Sequence, residues 1–106
     1  MSESEFNILA DAVFSHIEQV IDASHADIDY DSNGVVMEIE FGDGSKLIVN
    51  RHAPNREIWL AAKSGGFHFG FQDGNWISQR DGCELYAKLA ELVQLGTGKK
   101  LGFHPA

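Results

Sequence analysis

The first 45 residues contain no lysine and no arginine. They carry eleven acidic residues, whereas the remainder has eight basic and five acidic ones, so the net charge of −8 comes from an acidic first half. A hydrophobic content of 43% with seven Phe, two Trp and two Tyr is that of a folded domain and excludes intrinsic disorder. The chain also lacks the basic footprint that phosphate contact needs, which argues against nucleic-acid binding.

Cysteine, long apolar runs and catalytic motifs are scarce as well. The lone Cys83 cannot form an internal disulfide and has no C-x-x-C partner, as is usual in a reducing compartment. The N-terminus has no basic region ahead of an apolar stretch, and no apolar run reaches membrane-spanning length, so we expect a cytoplasmic protein. The five histidines are scattered and no G-x-S-x-G or P-loop occurs. We therefore expect a small soluble binding module and not an enzyme.

The periodicity predicts an α+β fold with 1–106 as a single domain. Ser2 and Glu5 form a capping-box pattern ahead of apolar residues at helical spacing, and Asp81 with Glu84 is expected to cap a second helix. Between them lie six alternating segments separated by turn residues, at about 27–31, 35–41, 46–51, 57–62, 67–71 and 75–78. The expected architecture is a two-layer sandwich, with both helices on one face of an antiparallel sheet. We expect the tail from about residue 94 to be loosely ordered.

Two rows of carboxylates stand out in this pattern. Asp11, Glu18 and Asp22 fall on one side of the first helix, away from its apolar stripe, and we call them the helix row. Asp27, Asp29 and Asp31 alternate along the first strand and are called the strand row; the two rows together are the acidic ridge. Many hard oxygen donors without Cys or clustered His favour exposed, weak sites for iron, manganese, calcium or magnesium. An ordinary solvated face is the alternative interpretation.

The segment from Asp29 to Glu40 also matches the calcium-loop pattern of an EF-hand. A calcium loop is followed by a helix, whereas residues 35–41 alternate as a strand does. The sequence therefore favours a hairpin turn at Ser32-Asn33-Gly34.

Trp59 is the second candidate. Alternation puts Ile58 and Leu60 on the face under the helices and Trp59 on the open face, with Asn50 and Arg51 on that face or its rim. An exposed tryptophan is a frequent interface anchor, and a surface aromatic packed over neighbouring strands is the alternative.

Taken together, three segments resemble the bacterial members of the frataxin family: Asn50-Arg51-His52-Ala53-Pro54, then Ile58-Trp59-Leu60-Ala61, then Gly65-Gly66-Phe67-His68-Phe69. The resemblance implies an iron-binding protein of iron-sulfur cluster assembly, a regulator or iron donor that docks on the cysteine desulfurase and its scaffold assembly. It implies that ferrous or ferric iron is held weakly at the acidic ridge, and that Glu18, Asp22, Asn50 and Trp59 meet the partner. We expect a monomer in the absence of metal.

The chain departs from the bacterial pattern within the ridge. Gln19 and Ala23 stand where paired acids are common, His52 stands where a glutamine is usual, and His25 lies inside the ridge as a possible replacement donor. A metal-independent acidic interaction module is the alternative function. A ferroxidase is less favoured, because no organised di-iron site is visible in the sequence.

Overall fold

The computed structural model describes residues 1–104. Its elements, in chain order, are α1 (Glu3–Ser24), β1 (Ile28–Ser32), β2 (Val36–Phe41), β3 (Lys46–His52), a 3₁₀ turn (Ala53–Asn55), β4 (Glu57–Ala62), β5 (Gly65–Gln72), β6 (Asn75–Ser78) and α2 (Leu85–Thr97). The six strands form one antiparallel sheet in sequence order. The predicted α+β sandwich is confirmed.

The sheet buries one face under the helices. Its core side chains alternate along the strands and meet the apolar stripe of α1, which includes Phe6, Val13 and Ile17. Phe6 near the start of α1 packs edge-on against Trp76 of β6, while Asp22 near its end meets Tyr30 of β1. The first helix therefore crosses the sheet from one edge strand to the other.

Helix ends follow local chemistry. The capping box at Ser2 and Glu5 is present in both directions, as predicted. At α2 the N-cap is Glu84, whose carboxylate accepts from two backbone N–H groups of the first turn. Asp81 instead accepts from the backbone N–H of Cys83 in the preceding turn, and Glu84 forms a β-bridge with Ile77 before α2 begins. Neither helix of the described chain is long and apolar enough to cross a membrane.

The segment after residue 94 differs from the sequence expectation. Helix α2 continues to Thr97 and ends at Gly98 in a left-handed conformation. Beyond it Phe103 is buried beside His16, whose ring also packs edge-on against Tyr86. The backbone N–H of His104 donates to His16 Nε2 at 3.3 Å. The tail as far as residue 104 therefore packs back onto α1, and the buried Phe103 joins the hydrophobic core.

Candidate functional site

Two members of the helix row, Asp22 and Glu18, act on a tyrosine of the neighbouring strand. Tyr30 of β1 points to the helix side of the sheet, and its hydroxyl donates to both carboxylate oxygens of Asp22 at 2.9 and 3.0 Å. This hydrogen bond, followed by burial and by the charges of Asp22 and Glu18, raises the pKa of Tyr30 above its ordinary value. Glu18 and Asp22 therefore form one anionic group with Tyr30 as its internal donor.

Asp11 stands at the other end of the helix row and is already paired. Arg51 of β3 reaches it with an Nη2–Oδ1 distance of 2.8 Å, and the Arg51 guanidinium lies 4.7 Å from the centre of the Phe14 ring. The Arg51 side chain is 11% exposed and that of Asp11 is 70% exposed. The expectation that Arg51 shares the face of Trp59 is wrong: it lies on the helix side of the sheet and brings a cation to the helix row.

The strand row occupies the opposite side of the sheet. Asp29 and Asp31 are exposed on the open face, and the register sets them directly across from Glu40 and Glu38 of β2. Lys46 pairs with Glu38 at an Nζ–Oε1 distance of 2.7 Å, and both side chains remain about half exposed. Like charges that face each other across a strand pair repel, so this patch favours a counter-cation.

Glu38 and Glu40 were missed as site residues at the sequence level. The signal was present, because a hairpin centred on Asn33-Gly34 fixes which residues face each other across the two strands. The hairpin itself is confirmed, with the Asn33 side chain accepting from the backbone N–H groups of Val35 and Val36. Strand β2 follows, so the EF-hand interpretation is excluded.

Asp27 was expected on the first strand with Asp29 and Asp31, but β1 begins at Ile28, so Asp27 lies in the connection before it, two residues after His25. Asp27 is exposed and its carboxylate covers Gly42, where a Cβ would collide with it. His25 is the C-cap of α1, exposed and with a positive φ of 53°. Within residues 1–104, no three His, Cys, Asp or Glu side chains are grouped so that they could enclose a metal ion. The metal-binding roles of the ridge residues stay predictions.

The two rows are therefore not one continuous plane. The helix row lies at the level of α1 and the strand row projects from the opposite face of the sheet, with edge strand β1 between them. A small ion can contact one row at a time, whereas a protein partner that wraps around the β1 edge can reach both.

Trp59 lies on the open face, as predicted. It faces Asn50 across β3 and β4, is half-buried, and donates from Nε1 to Glu57 Oε1 at 2.8 Å. Its only polar group is thus satisfied within the protein, so a partner can meet the indole without supplying an acceptor.

A family model described as a frataxin-like domain matches residues 1–99. The chain belongs to the frataxin family. It is 48% identical over 99 residues to the iron-sulfur cluster assembly protein CyaY of Neisseria meningitidis serogroup B, covering 93% of this chain and 92% of that one.

Solved frataxins share the fold. The frataxin of Psychromonas ingrahamii superposes with a TM-score of 0.93 at 38% identity, covering 98% of this chain and 99% of that one. A trimeric frataxin from the yeast Saccharomyces cerevisiae, complexed with ferrous iron, has a TM-score of 0.71 at 28% identity, covering 93% and 88%. The resemblance identified in the sequence is confirmed, and so is the two-layer architecture.

In this frataxin-family chain the ridge is a set of hard oxygen donors without a cage. Carboxylates and a tyrosine hydroxyl suit hard cations such as ferrous or ferric iron, magnesium and calcium. Sites of this kind keep most of the metal's water ligands and hold the ion weakly.

Proposed function

We propose that this chain binds iron weakly at its acidic ridge and takes part in iron-sulfur cluster assembly by docking on the cysteine desulfurase and its scaffold, as a regulator or iron donor. The observation that carries this proposal is the concentration of exposed carboxylates on both sides of the β1 edge in a chain of the frataxin family. Iron is a cargo here, and the protein contributes binding and no bond chemistry of its own.

The ligand chemistry supports iron as the cargo. Glu18 and Asp22 hold two carboxylates beside Tyr30, and Asp29 with Glu40 holds another two on the open face. Each pair offers hard oxygen ligands. Within residues 1–104 no ion pair engages these four carboxylates as Arg51 engages Asp11, although Lys46, which pairs with Glu38, lies directly across from Glu40. A yeast frataxin has been solved with ferrous iron, which is consistent with this chemistry in a relative.

The partner contact is expected to be electrostatic at the ridge and apolar at Trp59. A basic surface that wraps around the β1 edge can meet both rows at once, while Trp59 and Asn50 supply a contact further across the open face. Attraction between exposed charges weakens as the Debye length shortens, so affinity should fall strongly between 50 and 500 mM salt, to a Debye length of about 4–5 Å.

Two paired variants test the proposal. Glu18→Gln with Asp22→Asn removes two of the three charges of the helix row, and Asp29→Asn with Asp31→Asn removes two of the three charges of the strand row. Asp73→Asn with Glu91→Gln is the matched control, since both residues are exposed and lie outside α1 and β1. The measurements are anaerobic calorimetry with ferrous iron and the affinity for purified cysteine desulfurase at several salt concentrations.

We expect each row variant to lose iron-binding heat and desulfurase affinity, and the control to keep both. The proposal fails if both row variants bind iron and the desulfurase as the wild type does.

A metal-independent interaction module is the second candidate. It is favoured by the fact that Asp11 and Asp22 are already engaged, with Arg51 and Tyr30 respectively. In that case ferrous iron gives no saturable heat, whereas the desulfurase still binds with salt-sensitive affinity.

A further inference from the structure

Trp59 is held between two histidine rings on the open face of the sheet. The imidazole of His52 stacks on the indole at a centroid distance of 4.0 Å with an interplanar angle of 6°. The imidazole of His68 stacks at 4.1 Å and 7°. Three rings therefore stand parallel, in an arrangement that we call the histidine clamp.

The sheet order explains why the two histidines take opposite sides of the indole. Strands β3 and β5 flank β4, His68 faces Trp59 directly across the β4–β5 pair, and His52 lies diagonally across the β3–β4 pair. Glu57 adds a third restraint, because it accepts the indole N–H at 2.8 Å from the same strand. Both faces and the polar edge of the indole are therefore occupied by neighbours.

We propose that His52 and His68 are positioning residues for docking: they hold the Trp59 indole upright, so that a partner meets the edges of three stacked rings and not the face of one. This inference rests on the proposed function, in which Trp59 contacts the cluster-assembly partner. It also states what that partner offers, namely a narrow slot that receives ring edges and is apolar over the indole and polar over the imidazoles. A flat group that would stack on the indole face finds both faces covered.

The clamp lowers the cost of binding. A free tryptophan side chain on a strand samples several rotamers, and fixing one rotamer-rich side chain on association reduces affinity by roughly two- to tenfold. The stacked imidazole rings restrict Trp59 to one rotamer in the unbound protein. Stacking of aromatic rings at these distances is itself favourable, so the arrangement is stable without the partner.

The test compares removal of the rings with their replacement by other flat rings. His52→Ala with His68→Ala removes the clamp, whereas His52→Phe with His68→Phe keeps two flat rings beside the indole and removes the imidazole chemistry. Trp59→Ala removes the anchor. For each protein, one measurement is the affinity for the purified cysteine desulfurase with its scaffold at fixed salt. The other is ¹⁵N relaxation of the Trp59 indole N–H, with the buried Trp76 as internal reference.

We expect the alanine pair to bind roughly two- to tenfold more weakly and to show a more mobile Trp59 indole, with the Trp76 signal unchanged. The phenylalanine pair should restore both affinity and order. Wild-type affinity in the alanine pair, or an indole as ordered as in the wild type, overturns the clamp. Failure of the phenylalanine pair to restore binding overturns it too, because imidazole chemistry and not ring position would then matter.

Different outcomes of the same measurements would refute the proposed function. If the wild type itself does not bind the desulfurase with its scaffold, or if Trp59→Ala binds as the wild type does, the docking role of Trp59 is refuted. Weak binding by Trp59→Ala together with unchanged binding by the alanine pair refutes the clamp alone.

Discussion

Replacing Phe103 by alanine should destabilise the protein by about 2–3 kcal/mol, although this residue lies beyond the last helix. Phe103 is 7% exposed and its ring packs edge-on 6.5 Å from that of His16. Burying a phenylalanine contributes about 1.5–3 kcal/mol, and truncation in a rigid core costs about 3–5 kcal/mol. Because neighbours near a chain end can close over part of the gap, we expect the lower range. The melting temperature should fall by roughly 10–20 °C.

Urea unfolding followed by far-UV circular dichroism measures this loss, with the m-value checking that the transition stays two-state. Leu95→Ala is the matched control: Leu95 is also a large apolar side chain of the C-terminal region, but it is 74% exposed. That variant should stay within about 0.5 kcal/mol of the wild type. A Phe103→Ala protein as stable as the Leu95→Ala protein would refute the packing of the tail.

Three further predictions follow from contacts in the structure. A methyl group added by Gly96→Ala would lie 2.6 Å from the buried ring of Phe41, so the variant should lose about 1–3 kcal/mol in urea unfolding despite the better helix propensity of alanine. Burial lowers the pKa of His16, so the unfolded chain takes up the proton more readily, and the free energy of unfolding should fall as the pH drops below about 6.5. The His16→Gln variant should show a flatter dependence of the unfolding free energy on pH. The same dependence in the variant and the wild type would contradict this prediction. The Arg51→Leu variant frees Asp11 from an ion pair that contributes about 0.2–1 kcal/mol. Ferrous iron should therefore bind up to about fivefold more tightly, as measured by anaerobic calorimetry. Weaker binding would exclude Asp11 as a ligand.

The order of elements and most of their bounds could be predicted from the sequence, because the signals are local. Turn residues such as Asn33-Gly34 and Asp43-Gly44 separate segments of period two, and the capping box marks the start of α1. The two rows of the ridge follow from the same periods. The helix row was predicted correctly as residues of one helix, and Asp29 with Asp31 as residues on one face of one strand, whereas Asp27 lies before β1.

Side-chain contacts between different helices and strands could not be predicted from these local signals. That Tyr30 binds Asp22, and that His52 and His68 enclose Trp59, depends on register and on the diagonal crossing of α1 over the sheet. The segment after residue 94 has no hydrophobic periodicity, so its sequence does not predict that a single aromatic side chain within it is buried. The helical end of α2 and the docked tail were missed because one side chain, Phe103, supplies the anchor.

The distribution of charge along the sequence differs from the distribution of charge on the folded surface. The absence of lysine and arginine before Lys46 suggests a ridge without any cation. Strand β3 nevertheless brings Arg51 to Asp11 of the helix row, and Lys46 to Glu38, which faces Asp31 of the strand row. Residues of opposite alternation on one strand necessarily leave opposite faces of the sheet, so the same short segment serves both rows. The carboxylates that remain without a cation are therefore those nearest the β1 edge. Iron and a basic partner should compete there, because binding there relieves repulsion that the fold has left uncompensated.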